Sequence, residues 1–136
     1  MFKNLYATKI ENGHWVSLIL RIIGGAFMLT HGIPKLLKII EGNIEFGDPI
    51  GLGTGTSLFL AVFAEFFCAL MILLGFATRL AALPLIINMF VAAFLVHTSD
   101  PFGRKELAFV YLLVYMALFL LGSGKYSIDN LIKRKQ

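Results

Sequence analysis

Three ionisable residues interrupt long apolar stretches of the sequence: Arg21, His31 and Glu65. An ionisable side chain inside a membrane span is costly unless it faces other protein groups and finds a partner there. A guanidinium and a carboxylate can satisfy each other through charge-assisted hydrogen bonds. We therefore expect Arg21 and Glu65 to face each other, or to share a polar partner, inside a helical bundle.

Other polar residues of these stretches fall at similar estimated depths. At a helical rise of about 1.5 Å per residue, Arg21 and Tyr115 lie about 9 to 11 Å from the span ends nearest the termini. Glu65, Asn88 and Tyr111 lie about 13 to 17 Å from those ends. Polar groups that converge in an apolar cleft predict a ligand site, here formed by Arg21, Glu65, Asn88, Tyr111 and Tyr115. The alternative is that the Arg21–Glu65 pair only fixes the register of the helices.

A second polar group is predicted near the opposite ends of the spans: His31, Lys35, His97, Asp100 and Glu106. Histidines and carboxylates can bind a metal or relay protons. The spacings match no compact metal motif, and on a straight helix His97 points nearly opposite to Asn88. We therefore expect an outer-face polar cluster without a metal.

Four apolar blocks of the sequence contain or adjoin these polar residues. Of the 136 residues, 58% are apolar and only 15% are charged, whereas soluble domains carry roughly 25% charged residues. About 20 helical residues cross the hydrocarbon core, and the blocks near this length cover residues 15–34, 57–76, 80–97 and 106–124. The sequence predicts an all-α integral membrane four-helix bundle, with residues 1–136 as a single transmembrane domain and almost no strand.

Basic residues flank the blocks and set the expected orientation. Seven lie on the side of the termini: Lys3, Lys9, Arg79, Lys125, Lys133, Arg134 and Lys135. Four lie on the other side: Lys35, Lys38, Arg104 and Lys105. Since Lys and Arg near span ends are retained in the cytoplasm, both termini are predicted to be cytoplasmic. The charges form no stripe that would indicate nucleic-acid binding, and Cys68 is expected to be a packing residue.

Several segments resemble the DoxX family of small bacterial membrane proteins. Leu20-Arg21-Ile22, Gly24, Phe27 and residues 31–36 (HGIPKL) are similar to its opening signature. Residues 64–65 and 74–82 resemble its second and third spans, and residues 122–129 (GSGKYSID) its C-terminal signature. The resemblance implies a four-helix membrane protein related to the small subunit of thiosulfate:quinone oxidoreductase and to partners of other respiratory or redox enzymes. The expected location is the bacterial inner membrane, which the chain crosses several times.

The sequence and the resemblance together support two candidate functions. The first is a membrane subunit of a redox or quinone-linked complex, in which the predicted polar layer holds the head group of a quinone and another protein supplies the electrons. The second is a non-enzymatic membrane module that binds a lipophile or stabilises a partner protein. Besides the bilayer, a redox-protein partner or a homo-oligomer is compatible with the sequence. No intrinsic cofactor is expected, and no catalytic residue is assigned.

Overall fold

The computed structural model describes residues 12–136, and in this range the chain is helical and contains no strand. Four long helices and one short helix follow each other: α1 Gly13–Ile40, α2 Thr54–Leu74, α3 Thr78–Val96, α4 Phe102–Leu121 and α5 Ile128–Arg134. The predicted all-helical membrane fold is confirmed.

Three of these helices, α1 to α3, are long and apolar enough to cross a membrane, which places the protein in a lipid bilayer. Helix α4 has 20 residues, but its first turns carry Arg104, Lys105 and Glu106, so its composition is less apolar. It packs along α3. That α4 is a fourth membrane span therefore stays a prediction.

The first helix is longer than predicted. It continues through Pro34 to Ile40, and the expected end at Pro34 is wrong. Proline removes one backbone donor, but membrane helices tolerate it where neighbouring groups compensate. As a result Lys35, which lies one residue beyond the predicted span, is part of α1.

Small residues allow α1 and α2 to pack closely. At Gly32 an added Cβ would overlap the backbone carbonyl group of Glu65, and at Gly25 it would lie 2.6 Å from Cβ of Leu73. Small residues at such contacts are typical of helix pairs in membranes. Gly25 and Gly32 therefore lie on the face of α1 that contacts α2.

Each of the three apolar helices contains a π-helical segment: Ile22–Phe27 in α1, Phe63–Cys68 in α2 and Ala92–Val96 in α3. Such segments change the direction of the side chains that follow and are frequent at functional sites. Glu65 lies inside the second segment, and His97 follows the third directly.

Candidate functional site

The predicted Arg21–Glu65 pair is wrong, because Arg21 binds backbone carbonyls instead. Its side chain is buried, with the residue only 3% exposed. It donates hydrogen bonds to the carbonyls of Ile72 (3.0 Å), Leu73 (2.9 Å), Ser123 (3.0 Å) and Tyr126 (2.7 Å). The last carbonyls of a helix lack intrahelical donors, and a cation is favourable there. Arg21 thus caps the end of α2 and ties it to the segment after α4.

Tyr115 also has a partner within the protein. It is fully buried, and its hydroxyl donates a 2.7 Å hydrogen bond to the carbonyl of Gly24, which lies in the π-helical segment of α1. Arg21 and Tyr115 therefore use their polar groups to hold α1 against its neighbours, and the hydrogen bonds of both go to backbone carbonyls and not to Glu65 or Asn88.

Glu65 is paired with Lys35 and Asn88. One carboxylate oxygen forms a salt bridge with Nζ of Lys35, and the other accepts a 2.8 Å hydrogen bond from Nδ2 of Asn88. The Glu65 side chain is 6% exposed and that of Lys35 is 25% exposed. Three helices thus meet at this carboxylate: α1 through Lys35, α2 through Glu65 itself and α3 through Asn88.

Two cavities meet at the Lys35–Glu65 pair. The first, about 230 Å³, is lined by five apolar residues and by six polar ones, His31, Lys35, Glu65, His97, Arg104 and Tyr111; we call it the polar cavity. The second, about 440 Å³, lies mainly between α2 and α3 under Phe46, Pro49 and Ile50, and we call it the apolar cavity. Lys35, Glu65, Ala92 and His97 line both.

The polar cavity is rich in hydrogen-bond donors. Lys35 and Arg104 carry only donors, and histidine and tyrosine side chains can donate as well. The His31 ring lies edge-on to Tyr111 at a centroid distance of 6.0 Å, and Tyr111 stacks on Tyr115 at 6.1 Å. A ligand group that accepts hydrogen bonds suits this lining.

The predicted outer cluster is divided between the cavity and the surface. His31, Lys35 and His97 line the polar cavity. Asp100 does not line it, but its Oδ2 lies 2.7 Å from Nδ1 of His97. Glu106 is exposed on α4 and does not line either cavity. The hydrogen bond with His97 lowers the pKa of Asp100.

The expectation that His97 and Asn88 point in nearly opposite directions is wrong, since both line the apolar cavity. That expectation assumed a straight α-helix. The π-helical segment Ala92–Val96 lies between the two residues and rotates His97 back toward the cavity.

Comparison with known proteins identifies the family. The family model described as DoxX matches residues 16–98, which include α1 from Val16, α2 and α3 with the Lys35–Glu65–Asn88 cluster. The chain belongs to the DoxX family. Among the relatives of this DoxX protein, the inner membrane protein YqjF of Escherichia coli is 34% identical, over 87% of this chain and 92% of YqjF.

Two further relatives are 29% identical to this DoxX protein. One is named "Putative oxidoreductase CatD" in Bacillus subtilis, with 85% of this chain and 86% of the relative aligned. The other is an uncharacterized protein of Haemophilus influenzae, with 85% and 90% aligned. No solved structure matches the chain.

Proposed function

We propose that this DoxX protein is an inner-membrane subunit of a redox or quinone-linked complex and that it binds a quinone at the Lys35–Glu65–Asn88 cluster. The observation that carries the proposal is the position of this cluster between a donor-rich polar cavity and a larger apolar cavity. A head group and a hydrocarbon tail would each meet a matching surface there.

The chemistry of the cluster suits a quinone head group. Lys35 has three N–H donors and Asn88 has two, so donors are left after each has bound Glu65. Quinone carbonyl oxygens accept hydrogen bonds, and the tail would lie among Leu60, Phe63 and Ile87 of the apolar cavity. The volume of about 440 Å³ falls within the range of roughly 300 to 1,000 Å³ typical of small-molecule sites.

The names of two relatives support the redox and inner-membrane parts of the proposal. One relative is called an inner membrane protein, and another carries the name "Putative oxidoreductase CatD". In this proposal the electrons come from a redox-protein partner, and the protein supplies the quinone site.

The second candidate is a non-enzymatic membrane module. It is favoured by the partners that the buried polar groups already have: Arg21 caps α2, Tyr115 bonds to Gly24, and Glu65 is held by Lys35 and Asn88. Such bonds would lock the helices in register without any ligand.

Thermal unfolding in detergent, with and without a short-tailed benzoquinone or naphthoquinone, tests the quinone site. We expect either quinone to raise the unfolding temperature of the parent protein. The Asn88→Leu and Lys35→Met variants should lose this protection, because each removes donors from the cluster. Lys38→Met is the matched control, since Lys38 lies on the same helix but lines neither cavity.

Protection that persists in both cluster variants would place the quinone elsewhere. If neither quinone protects the parent protein, the module function is favoured instead.

A further inference from the structure

A third cavity lies at the end of the bundle where Arg21 caps α2, away from the Lys35–Glu65 cluster. Its volume is about 530 Å³, and it is lined by the start of α1, the turn into α3, the segment after α4 and α5. Three cationic side chains line it, Arg79, Lys125 and Lys133, against one carboxylate, Asp129. We call it the basic cavity.

Asp129 does not neutralise these cations. Its two oxygens accept hydrogen bonds from the backbone amides of Ala77 (2.8 Å) and Thr78 (3.4 Å), so the carboxylate caps the start of α3. Within residues 12–136, no carboxylate lies within salt-bridge distance of Arg79, Lys125 or Lys133. One guanidinium nitrogen of Arg79 donates to the carbonyl of Leu120 at 3.1 Å, which leaves its other donors available.

Thr78 gives a second and independent indication of a ligand. It lines the basic cavity and is 1% exposed. Its hydroxyl is the one buried side-chain group in the described part of the chain without a hydrogen-bond partner. Buried hydroxyls nearly always have a partner, and an anion oxygen at the floor of this cavity would provide one.

Aromatic residues place the basic cavity at the level of lipid head groups. Trp15 and Tyr126 are exposed, and their ring centroids lie 4.8 Å apart. Exposed Trp and Tyr side chains concentrate at the membrane–water interface. Each is the direct sequence neighbour of a residue that lines the cavity, His14 and Lys125 respectively. Lipid head groups supply phosphate anions at this level of the membrane.

We propose that the basic cavity binds the phosphate group of an anionic phospholipid. Arg79, Lys125 and Lys133 supply the positive charge, and the Thr78 hydroxyl donates a hydrogen bond to a phosphate oxygen. Basic pockets between membrane helices bind anionic head groups in this way. The proposal does not depend on the quinone site, which is built from other residues at the opposite end of α1.

Native mass spectrometry of the detergent-solubilised full chain tests this proposal by titration with dioctanoyl phosphatidylglycerol and dioctanoyl phosphatidylcholine. We expect the anionic lipid to bind more tightly than the zwitterionic one. Lys125→Gln and Lys133→Gln should each weaken its binding about fivefold. Thr78→Val, which keeps the side-chain shape, should weaken it as well. Lys135→Gln is the matched control, because Lys135 lies on the same end of the chain but does not line the basic cavity.

Three results would overturn the proposal. Equal affinity for the two lipids would show that charge is not recognised. An equal loss in Lys135→Gln would show diffuse attraction in place of a site. Displacement of phosphatidylglycerol by an equal concentration of inorganic phosphate would assign the cavity to a free anion. If Thr78→Val does not fold, the two lysine variants and their control still decide the question.

Discussion

At the scale of single residues, two cations of α1 are satisfied in different ways. Arg21 has five donors in a planar fork and can serve several carbonyls of two segments at once, as it does at the end of α2 and after α4. Lys35 carries a compact charge and pairs with the carboxylate of Glu65. Arg21 is therefore a structural cross-link, and Lys35 belongs to the candidate site.

Double-mutant cycles should separate these two roles. Lys35→Met and Glu65→Gln should couple by roughly 1 to 3 kcal/mol, because the two side chains touch. Arg21→Met should cost about 2 to 4 kcal/mol through its lost hydrogen bonds to carbonyls, yet its coupling to Glu65→Gln should stay below about 0.5 kcal/mol. The free energy of unfolding in mixed detergent measures both cycles. A large Arg21–Glu65 coupling would contradict the separation.

The contact between His97 and Asp100 predicts a pH effect. The hydrogen bond from His97 favours the ionised carboxyl and so lowers the pKa of Asp100 below its ordinary value of 3.8. A depressed pKa in the folded state stabilises the protein above the unfolded value, and this contribution is lost as the pH falls through the folded pKa. The stabilisation that ionised Asp100 contributes is therefore lost below about pH 4.

Carboxyl NMR titration of Asp100 checks this prediction. His97→Leu should raise the pKa of Asp100. Arg104→Gln should raise it less, since the charge of Arg104 is a smaller cause of the shift than the hydrogen bond. An unchanged pKa in His97→Leu would show that the contact does not form in solution.

At the scale of helices, the contact between α1 and α2 depends on Gly32. A Cβ at this position would overlap the backbone carbonyl group of Glu65, so Gly32→Ala should push the helices apart and cost roughly 1 to 3 kcal/mol. Gly103→Ala is the matched control, because nothing lies within 4 Å of an added Cβ there. In that helix alanine should be neutral or slightly stabilising.

The free energy of unfolding in detergent is measured for Gly32→Ala and for Gly103→Ala. Gly32→Ala should also weaken any protection by quinone, because the backbone of Glu65 forms the contact with Gly32 and would be displaced. Equal stability of the two alanine variants would show that α1 and α2 do not pack closely at Gly32.

Sequence predicted the helices better than their contacts. Long apolar blocks locate α1 to α3 because about 20 residues are needed to cross the hydrocarbon core. The end of α1 was misplaced because Pro34 breaks helices in water but is tolerated in this bundle. Because the predicted span ended before Lys35, Lys35 was grouped with the outer polar cluster and not with Glu65, its partner in the structure.

Two further features could not be predicted from the sequence on the assumption that the helices are straight α-helices. The π-helical segment Ala92–Val96 turns His97 toward Asn88. No residue pattern in the sequence predicts this segment. The carbonyls that bind Arg21 become available only when the end of α2 and the segment after α4 meet. The polar residues were correctly singled out, but which of them meet depends on tertiary packing.

At the scale of the whole molecule, the bundle has two chemically different ends. One end holds the polar and apolar cavities around Lys35 and Glu65. The other holds the basic cavity, the Arg21 cap and the pair formed by Trp15 and Tyr126. The segment after α4 lies at the second end, because Arg21 and Asp129 tie it to the end of α2 and the start of α3. If α4 runs the full length of the bundle between these ends, it crosses the membrane as a fourth span.

Cysteine labelling tests the four-span topology and its orientation. In a Cys68→Ala background, Lys38→Cys and Arg104→Cys should react with a membrane-impermeant maleimide from the outer side. Lys125→Cys and Gln136→Cys should react only after the membrane is opened, since the excess of basic residues beside the termini is retained in the cytoplasm. Each variant is its own control through labelling in detergent, where all four should react. Labelling of Lys38→Cys and Gln136→Cys from the same side would show an even number of crossings between these two positions and would exclude α4 as a fourth span. The reverse pattern at all four positions would keep the four spans and invert the predicted orientation.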